Sequence, residues 1–159
     1  MKRTKIPRVL DSDENGRTRL VVRETELHHT DGGHHKFYRL RLIAVVDAGE
    51  ISVFILSRTW GRIGSKGRTL TDAYKVSAPE ARAEKWRAAS HRFSTLRDSK
   101  FRKGYDTHSL GPALSMVAVL QAARDTSVAQ ENRRQPVPPP SGPTASFAEQ
   151  FQSYAQGES

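Results

Sequence analysis

Lys36-Phe37-Tyr38-Arg39-Leu40-Arg41-Leu42-Ile43-Ala44-Val45-Val46, then Asp47-Ala48-Gly49-Glu50, then Ile51-Ser52-Val53-Phe54-Ile55-Leu56-Ser57-Arg58 is the stretch that decides the fold. Tyr38, Leu40, Leu42 and Ala44 fall on one side of an extended chain, with Arg39 and Arg41 on the other. That alternation is the signature of a half-buried strand. Asp47 to Glu50 reads as a turn, so Ile51–Arg58 is expected to fold back as the second arm of a hairpin. Beyond it, Trp60-Gly61-Arg62-Ile63-Gly64-Ser65-Lys66-Gly67-Arg68 reads as a glycine-punctuated loop, and Thr69–Val76 as a further short strand.

Upstream, Thr18–Leu27 contains Leu20-Val21-Val22 and reads as a first strand, followed by a polar turn from His28 to His35. Residues 1–17 lack periodicity and are expected to be a flexible arm, basic and then acidic, either disordered or loosely docked. Downstream, Ser77-Ala78-Pro79-Glu80 fits a helix-opening capping box. Trp86, Ala89, Phe93 and Leu96 then recur at helical spacing, one apolar stripe to lay on a sheet, with the helix ending near Leu96–Ser99. Trp86 and Tyr74 are expected in the core, and Tyr105 either packs the end of that helix, the favoured reading, or is a surface stacker. The character changes after Gly111-Pro112. Ala113–Arg124 reads as a helix, apolar nearly all round, that packs on the domain or on a partner. Pro136 to Pro143 reads as an extended linker. Phe147, Phe151 and Tyr154 beyond it suit either a fraying tail or a helix-in-groove peptide. The expected elements are those of an α+β fold: about four strands, one long helix to lay on their sheet, a C-terminal helix and a disordered Pro-rich tail. The divisions are 1–17, 18–110, 111–135 and 136–159.

The 159 residues include 26 Lys+Arg against 17 Asp+Glu and no cysteine, for a net charge of +9. Missing cysteine excludes disulfide staples, thiol catalysis and Cys-ligated zinc, and suits a cytoplasmic setting. No stretch approaches the length of a membrane span, so no membrane partner is expected. The charge is concentrated. Arg58–Tyr105 holds 13 Lys/Arg against 4 Asp/Glu, whereas Gly111–Ser159 holds 3 against 4. An excess this one-sided, interleaved with Trp60, Tyr74, Trp86 and Tyr105, suits nucleic acid as a partner.

Trp60 to Arg68 carries the functional reading. Glycines let a backbone approach a ligand and present N–H groups to an anion. Arg62, Lys66 and Arg68 suit phosphates, and Trp60 is either a flat surface for a sugar or base or an anchor in the core. The spacing fits neither a phosphate-binding P-loop nor a dinucleotide fingerprint. The chain resembles the WGR domain family, named for the tripeptide that stands here as Trp60-Gly61-Arg62. His35-Lys36-Phe37-Tyr38 and the closing Lys100-Phe101-Arg102-Lys103-Gly104-Tyr105 support the resemblance, which spans roughly Leu20 to Tyr105.

The resemblance implies a twisted antiparallel sheet with one long helix packed across it, and a non-catalytic nucleic-acid-binding module, found in DNA-dependent poly(ADP-ribose) polymerases and in stand-alone bacterial proteins. It implies Trp60 against a terminal sugar, Arg62 at the backbone or a neighbouring domain, and Lys66 at a phosphate. Arg68, Lys100 and Lys103 are expected around them, with DNA ahead of RNA as ligand and no cofactor. Two departures stand out. His35 replaces the family's usual Asn, and the helical segment is longer by roughly two turns. The alternative is a protein-interaction adaptor, an accessory subunit docking through Arg62 and through residues 113–124 and 147–154. His28, His29, Asp31, His34 and His35 are the best case for a metal. However, adjacent histidines on a strand point to opposite faces, so no metal is assigned. No catalytic residues are identifiable.

Overall fold

The alternating stretch folds as two long strands, β3 (Lys36–Asp47) and β4 (Glu50–Arg62), in a computed structural model that describes residues 6–136. Ala48 and Gly49 join them with φ of 49° and 80°, the pair of positive φ angles that a tight hairpin turn requires. The register sets Leu42 opposite Leu56 and Ala44 opposite Phe54, so the apolar side chains of both strands share one face. β2 (Thr18–His29) pairs with β3, and β5 (Arg68–Lys75) with the far side of β4, all antiparallel.

The sheet is larger than the four strands expected. Among the described residues it has six, the additions being β1 (Arg8–Ser12) and β6 (Asp106–Ala113). Both pair with the same edge of β2. β1 takes Thr18–Val21 and β6 takes Arg23–His28, with a bulge in the β2–β3 register between Val21 and Arg23 near the changeover. Part of the expected arm is therefore an edge strand, and β6, not among the expected strands, runs to Ala113.

α1 (Arg82–Phe101) and α2 (Met116–Arg134) cover one face of the sheet. The capping box expected at Ser77–Glu80 does not form. Proline disfavours helical geometry in the residue before it, and Ala78 is extended (φ −153°, ψ 155°) and caps a short 3-10 turn at Pro79–Ala81 with no side-chain hydrogen bond. Ser77 thus lies one residue too early. The expected stripe does face the sheet: Trp86, Ala89 and Phe93 are buried, and Leu96 and Tyr74 pack against the core from its margin. Trp86 meets Phe54 at 5.5 Å between ring centroids. Burying side chains of this size contributes about 1.5–3 kcal/mol each.

α1 overruns its expected end at Leu96–Ser99. Gly104, at φ 80°, turns the chain out of the helix, and the Tyr105 N–H donates back to the Lys100 carbonyl at 3.1 Å. α2 is capped by Ser115, whose side chain accepts from the Ala118 N–H, and it buries Val119 and Ala123. The segment expected to pack on the domain or on a partner thus packs on its own domain. Among the described residues no helix is long and apolar enough to cross a membrane. The Phe147–Tyr154 segment and most of the Pro-rich stretch lie outside the described residues.

Candidate nucleic-acid interface

Trp60 and Arg62 lie at the end of β4, on the strand and not in the loop expected from Trp60 onward. β4 and β5 stay paired until Trp60 meets Arg68, which leaves residues 63–67 as the tip. Cross-strand partners share a face, so the register also sets Tyr38 beside Trp60 and Lys36 beside Arg62. Since Tyr38 belongs to the helix-covered core, Trp60 and Arg62 emerge on that same face, beyond the end of α1.

Two of the motif's three glycines, Gly61 and Gly67, have a packing reason. A Cβ on Gly61 would sit 2.8 Å from the Gly67 Cα and 2.9 Å from the Ser65 Oγ. On Gly67, at φ 73°, it would sit 2.6 Å from the Trp60 carbonyl oxygen and 2.8 Å from the Phe37 ring. Only hydrogen fits where these two backbones close over buried Phe37. At Gly61 and Gly67 the close approach is therefore of the chain to itself, whereas a Cβ on Gly64 would meet open space. The Ile63 N–H donates to the His35 carbonyl at 2.9 Å and the Ser65 N–H to the Arg62 carbonyl at 3.0 Å.

Above this base is an aromatic cluster edged by cations. Tyr38 and Trp60 lie 6.4 Å apart between ring centroids, and Tyr38 and Tyr105 lie 6.5 Å apart, edge to face. The Lys100 ammonium sits 4.2 Å above the Tyr38 ring and 5.3 Å from that of Tyr105, within cation–π range. His29 stacks on the outer side of the cluster, 5.2 Å from Tyr105. Trp60 is 37% exposed, against 5% for Tyr38. Lys36, Phe37, Trp60, Gly61, Arg62 and Tyr105 line a recess of about 360 Å³, at the small end of ligand cavities.

Among the described residues Lys36, Arg62, Lys66, Arg68, Lys100 and Lys103 form no ion pair. Burial lowers the Lys100 pKa, and Lys103 and Lys36 push it the same way. Burial raises that of Tyr38, against the pull of Arg58 and Arg92. The opposite sheet face differs: Arg41 and Arg8 both reach Glu24, at 2.7 and 3.0 Å, and the Arg39 Nε reaches Glu26 at 2.6 Å.

Of the residues expected at the site, Trp60 and Arg62 line the recess, Lys100 lies over the Tyr38 ring beside it and Lys103 acts on Lys100. Arg68 is the cross-strand neighbour of Trp60, and Lys66 is exposed in the tip. Lys36 and Tyr105 also belong to the recess. Both stood inside the motifs quoted for the family, but only the strand register and the chain reversal at Gly104 bring them to Trp60. The histidine run divides: His29 faces Tyr105, whereas His28 points to the opposite face.

The sequence model of the WGR domain matches residues 23–111. No curated protein and no solved structure shows a significant match.

Proposed function

Because the chain belongs to the WGR domain family, whose members are non-catalytic nucleic-acid-binding modules, we propose that it binds DNA duplex ends or backbone with little base specificity, through the recess at Trp60. The observation that carries this reading is the set of cations without counter-ions around an exposed tryptophan. Lys36, Arg62, Lys100 and Lys103 meet phosphates, with Lys66 and Arg68 extending the surface, while Trp60 stacks on a sugar or base. Contacts of this kind fix position on the backbone without reading sequence. The recess holds one nucleoside-sized group, which favours an end over the middle of a duplex.

A second reading, an adaptor that docks on a larger nucleic-acid-processing complex, is favoured by α2, where Val117 and Val128 are 77% and 58% exposed. Salt separates the two. Binding through phosphates weakens with a log–log slope of about −0.9 per duplex phosphate neutralised, and apolar docking barely responds. The test is fluorescence anisotropy with blunt duplex, closed hairpin duplex, single-stranded DNA and RNA at two salt concentrations, for wild type and Trp60→Ala/Arg62→Ala. Blunt duplex is expected to bind tightest and the double variant to lose that preference. Absence of binding to every nucleic acid at low salt sinks the proposal.

A further inference from the structure

We propose that Glu26, His28 and His108 form a site for a divalent transition-metal ion with affinity for imidazole and carboxylate, zinc in the first instance, on the sheet face opposite the helices. Residues 26 and 28 are two apart on β2, so both side chains leave the same face, while Leu27 between them enters the core. β6 pairs alongside and brings up His108, whose ring stacks on that of His28 at 3.7 Å and 7°. One ligand atom from each of the three residues lies within 4.8 Å of the other two. Two imidazoles and a carboxylate are a donor set that zinc takes up with water in the remaining position.

The Glu26 carboxylate is already held in place by two neighbours. Its oxygens are divided, Oε2 accepting from the Arg39 Nε at 2.6 Å and Oε1 from the His28 Nε2 at 2.8 Å. Arg39 thereby orients the carboxylate as an outer-shell partner does for a metal ligand, and leaves Oε1 aimed at the imidazole. The ion stands where the Nε2 hydrogen was, and the His28 ring keeps its proton on Nδ1, the tautomer a metal-bound imidazole adopts. An N···O separation of 2.8 Å is close to the roughly 3 Å edge between neighbouring ligands at right angles, with metal–ligand distances of about 2.1 Å. A small opening gives the tetrahedral edge. The Glu26 and His28 side chains are 15% and 17% exposed, whereas His108 is exposed and turns its lone pair toward the ion by side-chain rotation.

The site joins two strands, so occupancy clamps β6 to β2 and raises the melting temperature by mass action. It is separate from the run His29, His34 and His35: His29 faces the aromatic cluster on the other side of the sheet, and His34 packs beside it at 5.0 Å.

The test is calorimetric titration of ZnCl2 into the tag-free, metal-stripped full chain near neutral pH. One zinc per chain is expected. His108→Ala is expected to weaken binding at least about tenfold, and His29→Ala/His34→Ala/His35→Ala to leave it unchanged. Unsaturable binding, undiminished affinity in His108→Ala, or loss of binding in the triple variant overturns the proposal. NMR of the wild-type imidazoles judges it without any substitution: zinc must move the His28 and His108 ring signals first, and movement confined to the other histidines overturns it.

Discussion

The two tryptophans occupy the same face of the same sheet and meet different fates. Trp86 comes from α1, packs on Phe54 and is 8% exposed; Trp60 comes from β4, packs beside Tyr38 and is 37% exposed. The difference is where α1 stops. The helix seals the sheet from Phe54 to Tyr38 and turns away at Gly104, so its last turn delivers Lys100 instead of another apolar side chain. One end of a continuous aromatic layer is finished as core. The other is left open and edged by Lys36, Arg62 and Lys100, which form no ion pair among the described residues.

The sharpest way to break this contrast is Trp86→Ala, which removes a buried indole and is expected to cost about 3–5 kcal/mol in chemical denaturation. Nucleic-acid affinity is expected to survive in whatever fraction stays folded. Affinity lost in step with an intact fold would mean that the two tryptophans are not functionally separate. Gly67→Ala comes next, about 1–3 kcal/mol from strain at a positive φ and the clash with the Trp60 carbonyl. Because that strain bears on the strand carrying Trp60, binding should fall together with the melting temperature.

Trp60→Ala is expected to leave stability nearly unchanged and to weaken binding by about 1–3 kcal/mol, the range of one aromatic stacking contact. Anisotropy and thermal melts read these separately, and a large drop in melting temperature would assign Trp60 to the core after all. The smallest effect belongs to Lys100. Its pKa lies below the ordinary lysine value of 10.5, so the folded protein holds this proton less tightly than the unfolded chain. The cost to stability is fully present below the folded pKa and disappears as pH rises through it toward the unfolded value. Lys100→Met should therefore raise the melting temperature slightly at neutral pH while reducing the salt slope by about 0.9. Lys100→Arg should keep its affinity to higher pH than wild type, since guanidinium stays charged.

The hairpin β3–β4 was legible because Tyr38, Leu40, Leu42 and Ala44 alternate without interruption. The stripe of α1 was legible for the same reason, with period 3.6 in place of 2. β1 and β6 were not. Arg8–Ser12 is exposed throughout, and Asp106–Ala113 contains Gly111 and Pro112 and few apolar residues. Such strands are held by backbone hydrogen bonds to an edge that exists only once β2 has folded. The same limit applied at the site. Trp60 and Arg62 announced themselves by residue type, whereas Lys36 reaches Arg62 through a register and Tyr105 reaches the recess through one turn. Charge misled in one respect, because Arg58, Arg82 and Arg97 within the basic stretch are paired with Asp72, Glu50 and Asp98.

The sequence by itself determined the WGR motif, the hairpin that carries it and the basic character of the segment. Those depend on residue type and on spacing within a few positions of the chain. Only the tertiary structure decided which cations stand unpaired, which tryptophan is sealed, and which histidines meet a glutamate. Each is a contact between strands or across the sheet, set by register and by the length of one helix.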